Sequence, residues 1–237
     1  GNSLVGICNL DEIKKKFEDS SLPLFPTDAQ TLLGKAEEPL KKLAKLSEAS
    51  IKDIKIGREL IDEARFKTNE TRALCDLIIA QPVSDNINLK SFAFENWENE
   101  KSQIHNSEAL NIARQIIRPL GSLHFPVAFP EVFLSSSKGF NVILGNPPWE
   151  EVKAEERDFW TGMFPGLRGL SQREQVQEWE KLSTSRKDLK EKWKSIESST
   201  KKLADILRTG NFPGLEIGDL DLYKAFCWRF WFITSNK

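Results

Sequence analysis

Apolar residues recur at three- and four-residue steps along much of the chain, and this spacing predicts amphipathic helices. One such stretch covers about residues 27–81, where Thr27 and Gln30 fit a capping box at the start of a helix. Ser107 is placed to cap another helix in the same way. The pattern therefore predicts helices over about residues 27–81 and a further helix from Ser107 that ends before Pro119.

A second capping box, formed by Ser171 and Glu174, precedes a stripe of apolar residues at a spacing of about 3.5 positions. Arg186 and Thr200 stand in two gaps of this stripe. The pattern predicts a long helix or a helical hairpin within residues 161–215. We expect its apolar stripe to pack inside the same chain rather than against a coiled-coil partner.

One segment is typical of a buried β-strand, the run Phe-Asn-Val-Ile-Leu at residues 140–144, which ends in Gly145 and a polar turn. The preceding residues 124–133 are rich in phenylalanine and proline and are predicted to be loop, and residues 219–233 are predicted to form a last helix. Open α/β sheets carry their sites at the ends of buried strands. We therefore expect an α/β fold dominated by helix, with residues 140–144 as its central strand.

Composition narrows the function classes. The chain has 237 residues, 39% of them hydrophobic, and no apolar run of the roughly 18 residues that would suggest a membrane span. Its net charge of -1 lacks the basic excess that is usual for nucleic-acid binding, so any DNA contact must be local or lie outside this chain. Cys8, Cys75 and Cys227 are widely spaced, which favours buried, unpaired thiols and a cytoplasmic location.

Metal ligands and general bases are poorly represented. His105 and His124 are the chain's two histidines, and we predict surface or packing roles for both. Asp219 and Asp221 suit the N-terminus of the last predicted helix better than a metal pair. No metal site is predicted.

The turn Asn146-Pro147-Pro148-Trp149 could act on an exocyclic amine. The Asn146 side-chain oxygen and the Pro147 carbonyl could accept both amine hydrogens, which favours a pyramidal nitrogen whose lone pair points at a methyl donor. The prolines keep the turn rigid, and Trp149 offers a flat face for a base that has left the duplex. Asn-Pro also opens ordinary turns, so these residues alone leave both interpretations open.

The segment Phe140–Trp149 resembles the catalytic motif of methyltransferases that act on N6 of adenine in DNA. Residues 124–133 resemble the segment before this motif in large fused restriction–modification methylases, including type IIG-like enzymes, and in phage-defence methylases. Residues 1–6 resemble the family's third-strand motif, and residues 218–226 resemble the helix after the catalytic segment. The four similarities follow one another in the order of the family.

The resemblance implies a partial Rossmann-like methyltransferase domain with large helical insertions, S-adenosylmethionine as cofactor and DNA as partner. It implies Asn146, Pro147, Pro148 and Trp149 as the catalytic residues. Asn2 stands where the family usually has an aspartate that can reach the cofactor's adenine, and it is the cofactor-binding candidate. A restriction or specificity subunit or domain is a candidate further partner.

The implied organisation begins with the third-strand region at residues 1–9 and a mainly helical insertion at residues 10–122. The catalytic strand with its Asn-Pro-Pro-Trp motif follows at residues 123–160. A helical segment at residues 161–215 and the start of a helix that returns to the core at residues 216–237 complete it. The family's Gly-rich cofactor loop has no counterpart, because Gly166-Leu-Arg-Gly169 has another spacing and follows no predicted strand. We expect that loop upstream of Gly1 and a target-recognition domain downstream of Lys237. The chain is thus expected to be an internal piece, inactive alone.

Two other methylation reactions and a non-catalytic role are the alternatives to adenine methylation. Methylation of cytosine C5 needs a thiolate that usually follows proline, and none of the three cysteines does. Asn146 favours adenine over cytosine N4, for which serine is usual at this position, without excluding N4. A non-catalytic helical scaffold that binds DNA or a partner is the main alternative. An open pocket at a strand end, lined by the motif, would favour the enzyme, and burial under helices would favour the scaffold.

Overall fold

The computed structural model describes residues 2–19, 29–47, 50–92 and 103–235, and α-helix dominates this part of the chain. The helices that define the fold are α1 (Leu10–Asp19), α2 (Ala29–Leu33), α3 (Glu37–Leu43), α4 (Ile51–Lys67), α5 (Asn69–Ala80), α6 (Glu108–Ile117), α7 (Phe125–Ala128), α8 (Pro130–Phe133), α9 (Glu156–Met163), α10 (Gln172–Ser185), α11 (Lys187–Thr209) and α12 (Leu222–Ile233). Short 3-10 helices cover Gly34–Ala36, Gln81–Val83, Leu89–Ser91 and Pro165–Gly169.

Two predicted helix starts are confirmed by their capping bonds. The Ser107 hydroxyl oxygen accepts the Leu110 N–H (3.2 Å) at the start of α6. At the start of α10, the Ser171 N–H donates to the Glu174 carboxylate (2.9 Å), while the Ser171 hydroxyl oxygen accepts the Glu174 N–H (3.5 Å). Thr27 lies outside the described residues. These caps satisfy N–H groups that a helix start leaves without partners.

The stripe after Ser171 forms a helical hairpin, because α10 and α11 are separate helices that pack together with Arg186 between them. The Arg186 guanidinium binds the Asp188 carboxylate through two nitrogens at 2.9 and 2.7 Å. Leu207 near the end of α11 is buried, but Val176 and Ile196 are each 38% exposed. The expectation that the whole stripe packs inside the chain is therefore wrong for Val176 and Ile196.

Residues 124–133 form two single-turn helices, α7 and α8, so the prediction of a loop is wrong. Pro126 and Pro130 lie within the first two positions of these helices. A proline there loses no hydrogen bond, since the first N–H groups of a helix have no partner within it, and its fixed φ suits the helical backbone. Proline spacing that suggests a loop thus marks two helix starts.

The prediction of an α/β, Rossmann-like fold is wrong. The described residues contain no β-strand or sheet, and their extended segments meet only in isolated bridges. These bridges pair Asn2 with Ser122, Phe140 with Thr234, and Glu151 with Asp221.

The predicted central strand shows the physical reason. Phe140 donates its N–H to the Ile233 carbonyl and accepts the Ser235 N–H, both at 2.9 Å. Beyond this residue the segment leaves its neighbour, and Val142 and Leu144 are 74% and 93% exposed. Because a strand requires a second backbone along its length, β-rich composition alone does not make one.

The core is built around α5, which packs against α6 at the centre of the molecule. The largest fully buried side chains of this core include Leu74, Leu77, Ile78, Leu110 and Phe133. A second, smaller apolar cluster lies between α11 and α12 and consists of Leu4, Leu207, Phe212, Leu215, Leu220 and Ala225.

The N-terminal segment runs beside the chain that follows α6. Leu123 N–H donates to the Val5 carbonyl (2.7 Å) and Phe125 N–H to the Ile7 carbonyl (2.9 Å). Gly6 between them has a φ of +141°, and a Cβ there would lie 2.2 Å from the Leu123 carbonyl oxygen. Only glycine allows the two backbones to come this close.

None of the helices in the part of the chain that the structure describes combines the length and apolar character needed to cross a bilayer.

Candidate functional site

The four predicted catalytic residues lie in an extended segment, residues 140–152, which is called the motif segment below. It runs alongside α12 and is hydrogen-bonded to the backbone at both ends of that helix. At the far end of α12, Phe140 pairs with the backbone as described above. At its start, the Leu222 N–H donates to the Glu150 carbonyl (3.0 Å) and the Val152 N–H to the Leu220 carbonyl (2.9 Å). The segment therefore runs antiparallel to the helix.

The motif residues are at the surface. Asn146 and Pro148 are exposed, Pro147 is half-buried, and Trp149 is 75% exposed. No strand precedes them, and none of them lines a cleft of about 1050 Å³ that opens beside α1. The motif is thus neither in a pocket at a strand end, which would favour the enzyme, nor buried under helices, which would favour the scaffold.

Aromatic residues of α12 lie under the motif segment. The rings of Trp149 and Tyr223 are stacked, with centroids 5.4 Å apart and planes at 28°. Further along, a Cβ at Gly145 would lie 3.3 Å from Cζ of Phe230. Tyr223 is a candidate site residue that the sequence reasoning missed. Its place in the family-like segment 218–226 was visible, but its stacking on Trp149 was not.

Charges beside the motif are mutually paired. Lys153 lies 2.7 Å from Glu155 and 3.2 Å from Glu151, and hydrogen bonds to these carboxylates raise the pKa of its ammonium group above the ordinary value. A hydrogen bond to Asp221 likewise raises the pKa of Lys224. These two lysines are therefore already neutralised by neighbouring carboxylates.

Asn2, the cofactor-binding candidate, is half-buried in a tight turn. Its side-chain oxygen accepts the Leu4 N–H (3.0 Å), and its backbone N–H donates to the Gly121 carbonyl. The oxygen expected to bind the cofactor is thus engaged locally.

Arg229 connects this N-terminal turn to α12. The side chain is buried, and its Nη2 donates to the Leu4 carbonyl (3.0 Å). The guanidinium lies 5.1 Å from the Phe212 ring centroid and 6.0 Å from that of Phe125. Such cation–π contacts help to compensate a charge that has left water.

Residues 124–133 pack on the start of the motif segment through their phenylalanines. The rings of Phe125, Phe129 and Phe133 meet the ring of Phe140 edge to face, at centroid distances of 6.2, 5.4 and 6.1 Å. All four segments that resemble the methyltransferase family therefore lie in or against α12 or the motif segment attached to it.

His124 is a buried packing residue, which confirms the prediction for it. Its Nδ1 accepts the Ile7 N–H (3.2 Å), so Nε2 carries the proton and donates to the Asp76 carboxylate (2.9 Å). The Arg114 guanidinium lies 3.4 Å from the other oxygen of Asp76. The sequence did hold a signal for this cluster, because Asp76 interrupts the apolar run at residues 73–80.

The cysteines differ from one another. Cys8 and Cys75 are buried, as predicted, and burial raises the pKa of both thiols well above the ordinary value. Cys227 is exposed on α12, so the prediction of burial is wrong for this residue. No group of three or more metal-ligating side chains is found among the residues that the structure describes.

No protein-family model, no curated protein and no solved structure matches this chain. Arguments about its function therefore rest on the residues and their geometry.

Proposed function

We propose that this chain carries the catalytic segment of a DNA methyltransferase that modifies N6 of adenine, within a cytoplasmic restriction–modification or phage-defence system. The observation that supports the proposal is the convergence on α12 of the four segments that resemble this family. These segments come from three separate regions of the chain, namely residues 1–6, the neighbouring segments 124–133 and 140–149, and residues 218–226. The proposal depends on the site segment and not on a Rossmann-like sheet.

The exposed motif suits the recognition of an amine. The Asn146 side-chain oxygen and the Pro147 carbonyl would accept the two hydrogens of the adenine amine and direct its lone pair outward. Two prolines limit the backbone motion that would misalign these acceptors. S-adenosylmethionine, when bound, supplies the electrophilic methyl group. We derive no step beyond the binding and orientation of the amine.

Trp149 is suited to holding the flipped base. Tyr223 covers one face of its indole, and the side chain remains 75% exposed. A stacked tyrosine restricts the orientation of the indole, so that an incoming base meets a ring already in place. Stacking on an aromatic side chain is worth on the order of 1–3 kcal/mol per base.

The decisive experiment is Asn146→Ala in the protein that carries this chain. We expect methyl transfer to fall about 10²–10³-fold with the fold intact, because one of the two fixed acceptors is lost from an exposed position. The readout is N6-methyladenine in digested DNA, measured by mass spectrometry. Asn111→Ala, at an exposed position of α6 away from the motif, is the matched control and should retain activity. Near wild-type turnover by Asn146→Ala, or a methyl group on cytosine C5, would contradict the mechanism.

Trp149→Ala should weaken both DNA binding and turnover, because the flipped base loses its stacking face. Trp149→Phe should retain much of both, since a flat ring remains. Binding is measured with DNA that contains an unpaired target base, and turnover as above. If the two variants behave alike, Trp149 does not act through stacking.

The non-catalytic scaffold remains the second candidate, and the α10–α11 hairpin favours it. Its apolar stripe is only partly covered by the rest of the described chain, with Val176 and Ile196 both exposed. A scaffold segment predicts that activity survives Asn146→Ala but is lost when these two residues are replaced by charged ones. The enzyme proposal predicts that activity is lost in Asn146→Ala and survives the charged replacements of Val176 and Ile196.

A further inference from the structure

A cleft of about 1050 Å³ opens where α12 ends, between the start of α1 and the turn that follows α8. Its lining includes one indole and three ammonium groups, from Trp231, Lys14, Lys15 and Lys138. An aromatic face beside cations is the combination that binds single-stranded nucleic acids.

Trp231 is the exposed aromatic of this cleft. Its side chain is 74% exposed, and it stacks on no other ring among the residues that the structure describes. An indole gains little from such a position in the folded chain by itself, since most of its apolar surface stays in water. A base can stack on the indole when only one face of the ring is accessible.

The lysines of the cleft differ from those beside the motif. Lys15 and Lys138 are exposed and form no ion pair with any described residue. Lys14 is only loosely paired, with Nζ 3.9 Å from the Glu18 carboxylate. These ammonium groups are therefore available to an anion, whereas Lys153 and Lys224 are engaged.

Two acids also belong to the lining, and only one of them faces solvent. Glu12 is buried, and its carboxylate accepts the Cys8 N–H (2.7 Å). Asp11 is exposed. Glu18 partly offsets Lys14, which leaves Lys15 and Lys138 against the exposed Asp11. The accessible charge of the cleft is therefore positive in a chain whose net charge is -1.

The cleft and the motif are joined along α12. Lys224, Cys227 and Trp231 are exposed and recur at i, i+3 and i+7, so they share one face of the helix. From Tyr223 to Trp231 the helix rises roughly 12 Å. This rise is about the length of three to four nucleotides at the 3.4 Å spacing of a stacked strand.

We propose that the cleft binds single-stranded DNA beside the target base, with one base stacked on Trp231 and the adjacent phosphates paired with Lys15 and Lys138. That this strand is the one that carries the target adenine rests on the proposed function. Strand binding itself is measured without cofactor and without methyl transfer.

The test is fluorescence anisotropy of a short labelled single strand, titrated with the protein at several salt concentrations. Trp231→Ala should weaken binding about tenfold, and Trp231→Phe should recover most of the affinity. Lys15→Gln and Lys138→Gln should each reduce the slope of log K against log salt by about 0.7, the value per phosphate contact of a single strand. Circular dichroism checks that the substitutions at these exposed positions leave the helices intact.

Lys55→Gln is the matched control, because Lys55 is exposed on α4 and does not line the cleft. It should leave the affinity and the salt slope unchanged. Equal effects of Lys55→Gln and Lys15→Gln would overturn the proposal in favour of non-specific attraction. Binding of duplex DNA, or of free adenosine monophosphate, with the same strength and the same dependence on Trp231 would also overturn it.

Failure of this inference can be told apart from failure of the proposed function. Retained turnover in Asn146→Ala contradicts the proposed reaction and leaves strand binding as measured. Unchanged strand affinity in Trp231→Ala contradicts the cleft and leaves the reaction as measured.

Discussion

The side chain of His124 links the N-terminal segment to α5 within the core. It bonds to the N-terminal segment at Ile7 and to α5 at Asp76, which in turn lies beside Arg114 of α6. Buried polar groups are stabilising only when their partners are present. The cluster therefore acts as one unit, and each member depends on the others.

We predict that His124→Ala lowers the free energy of unfolding by about 2–4 kcal/mol, because the buried Ile7 N–H loses its acceptor and the buried Asp76 carboxylate keeps only Arg114. His105→Ala is the control and should change it by less than about 1 kcal/mol, since His105 is only half-buried. Urea denaturation followed by circular dichroism measures both. Similar midpoints for the two variants would show that the His124 cluster contributes no net stability.

At the scale of elements, the attachment of the motif segment to α12 depends on a close approach at Gly139. A Cβ there would lie 2.7 Å from the Ser235 nitrogen, 2.8 Å from the Thr234 carbonyl carbon and 2.9 Å from the Ile233 oxygen. All three are backbone atoms, and they include the partners of Phe140. The segment cannot accommodate a side chain at this point without separating from the helix end.

Gly139→Ala should therefore lower the stability by about 1–3 kcal/mol, the usual cost of inserting a methyl group into a packed region. Amide exchange of Phe140 and Ser235 should accelerate, since their mutual bonds are lost. Gly166→Ala is the control, because no atom lies within 4 Å of the added Cβ. Unchanged amide protection in Gly139→Ala would mean that the segment and the helix adjust together without separating.

Elements were predictable to the extent that their determinants are local. The caps of α6 and α10 and the helical stripe after Ser171 were readable because each depends on residues within a few positions of one another. The division of that stripe into two helices at Arg186 coincides with one of its gaps. The burial of only part of the stripe was not readable, because it depends on what packs against it.

For the whole molecule, the arrangement of the segments bears on activity. The motif is presented at the surface, the Asn2 oxygen is engaged with the Leu4 N–H, and no Gly-rich cofactor loop is present in the 237 residues. We therefore predict that these 237 residues alone give background methyl incorporation with labelled S-adenosylmethionine and unmodified DNA. An active adenine-N6 DNA methyltransferase assayed on the same DNA is the positive control. Robust methylation by the 237 residues would show that they hold a complete cofactor site after all.

The candidate site divides in the same way between local and distant determinants. Asn146, Pro147, Pro148 and Trp149 could be named from sequence because their proposed chemistry depends on residue type and adjacency. Tyr223 could not, because its contact with Trp149 exists only where α12 passes the motif segment.

The sequence by itself determined the caps of α6 and α10, the helical stripe after Ser171 and the candidate motif, since these follow from short-range hydrogen bonds, periodicity and residue type. The tertiary structure alone decided that residues 140–144 remain an extended segment with a single pairing at Phe140. It also decided which charges are neutralised beside the motif and which stay free in the cleft. Strand formation and charge pairing both require partners distant in the chain, and no local pattern specifies where those partners will lie.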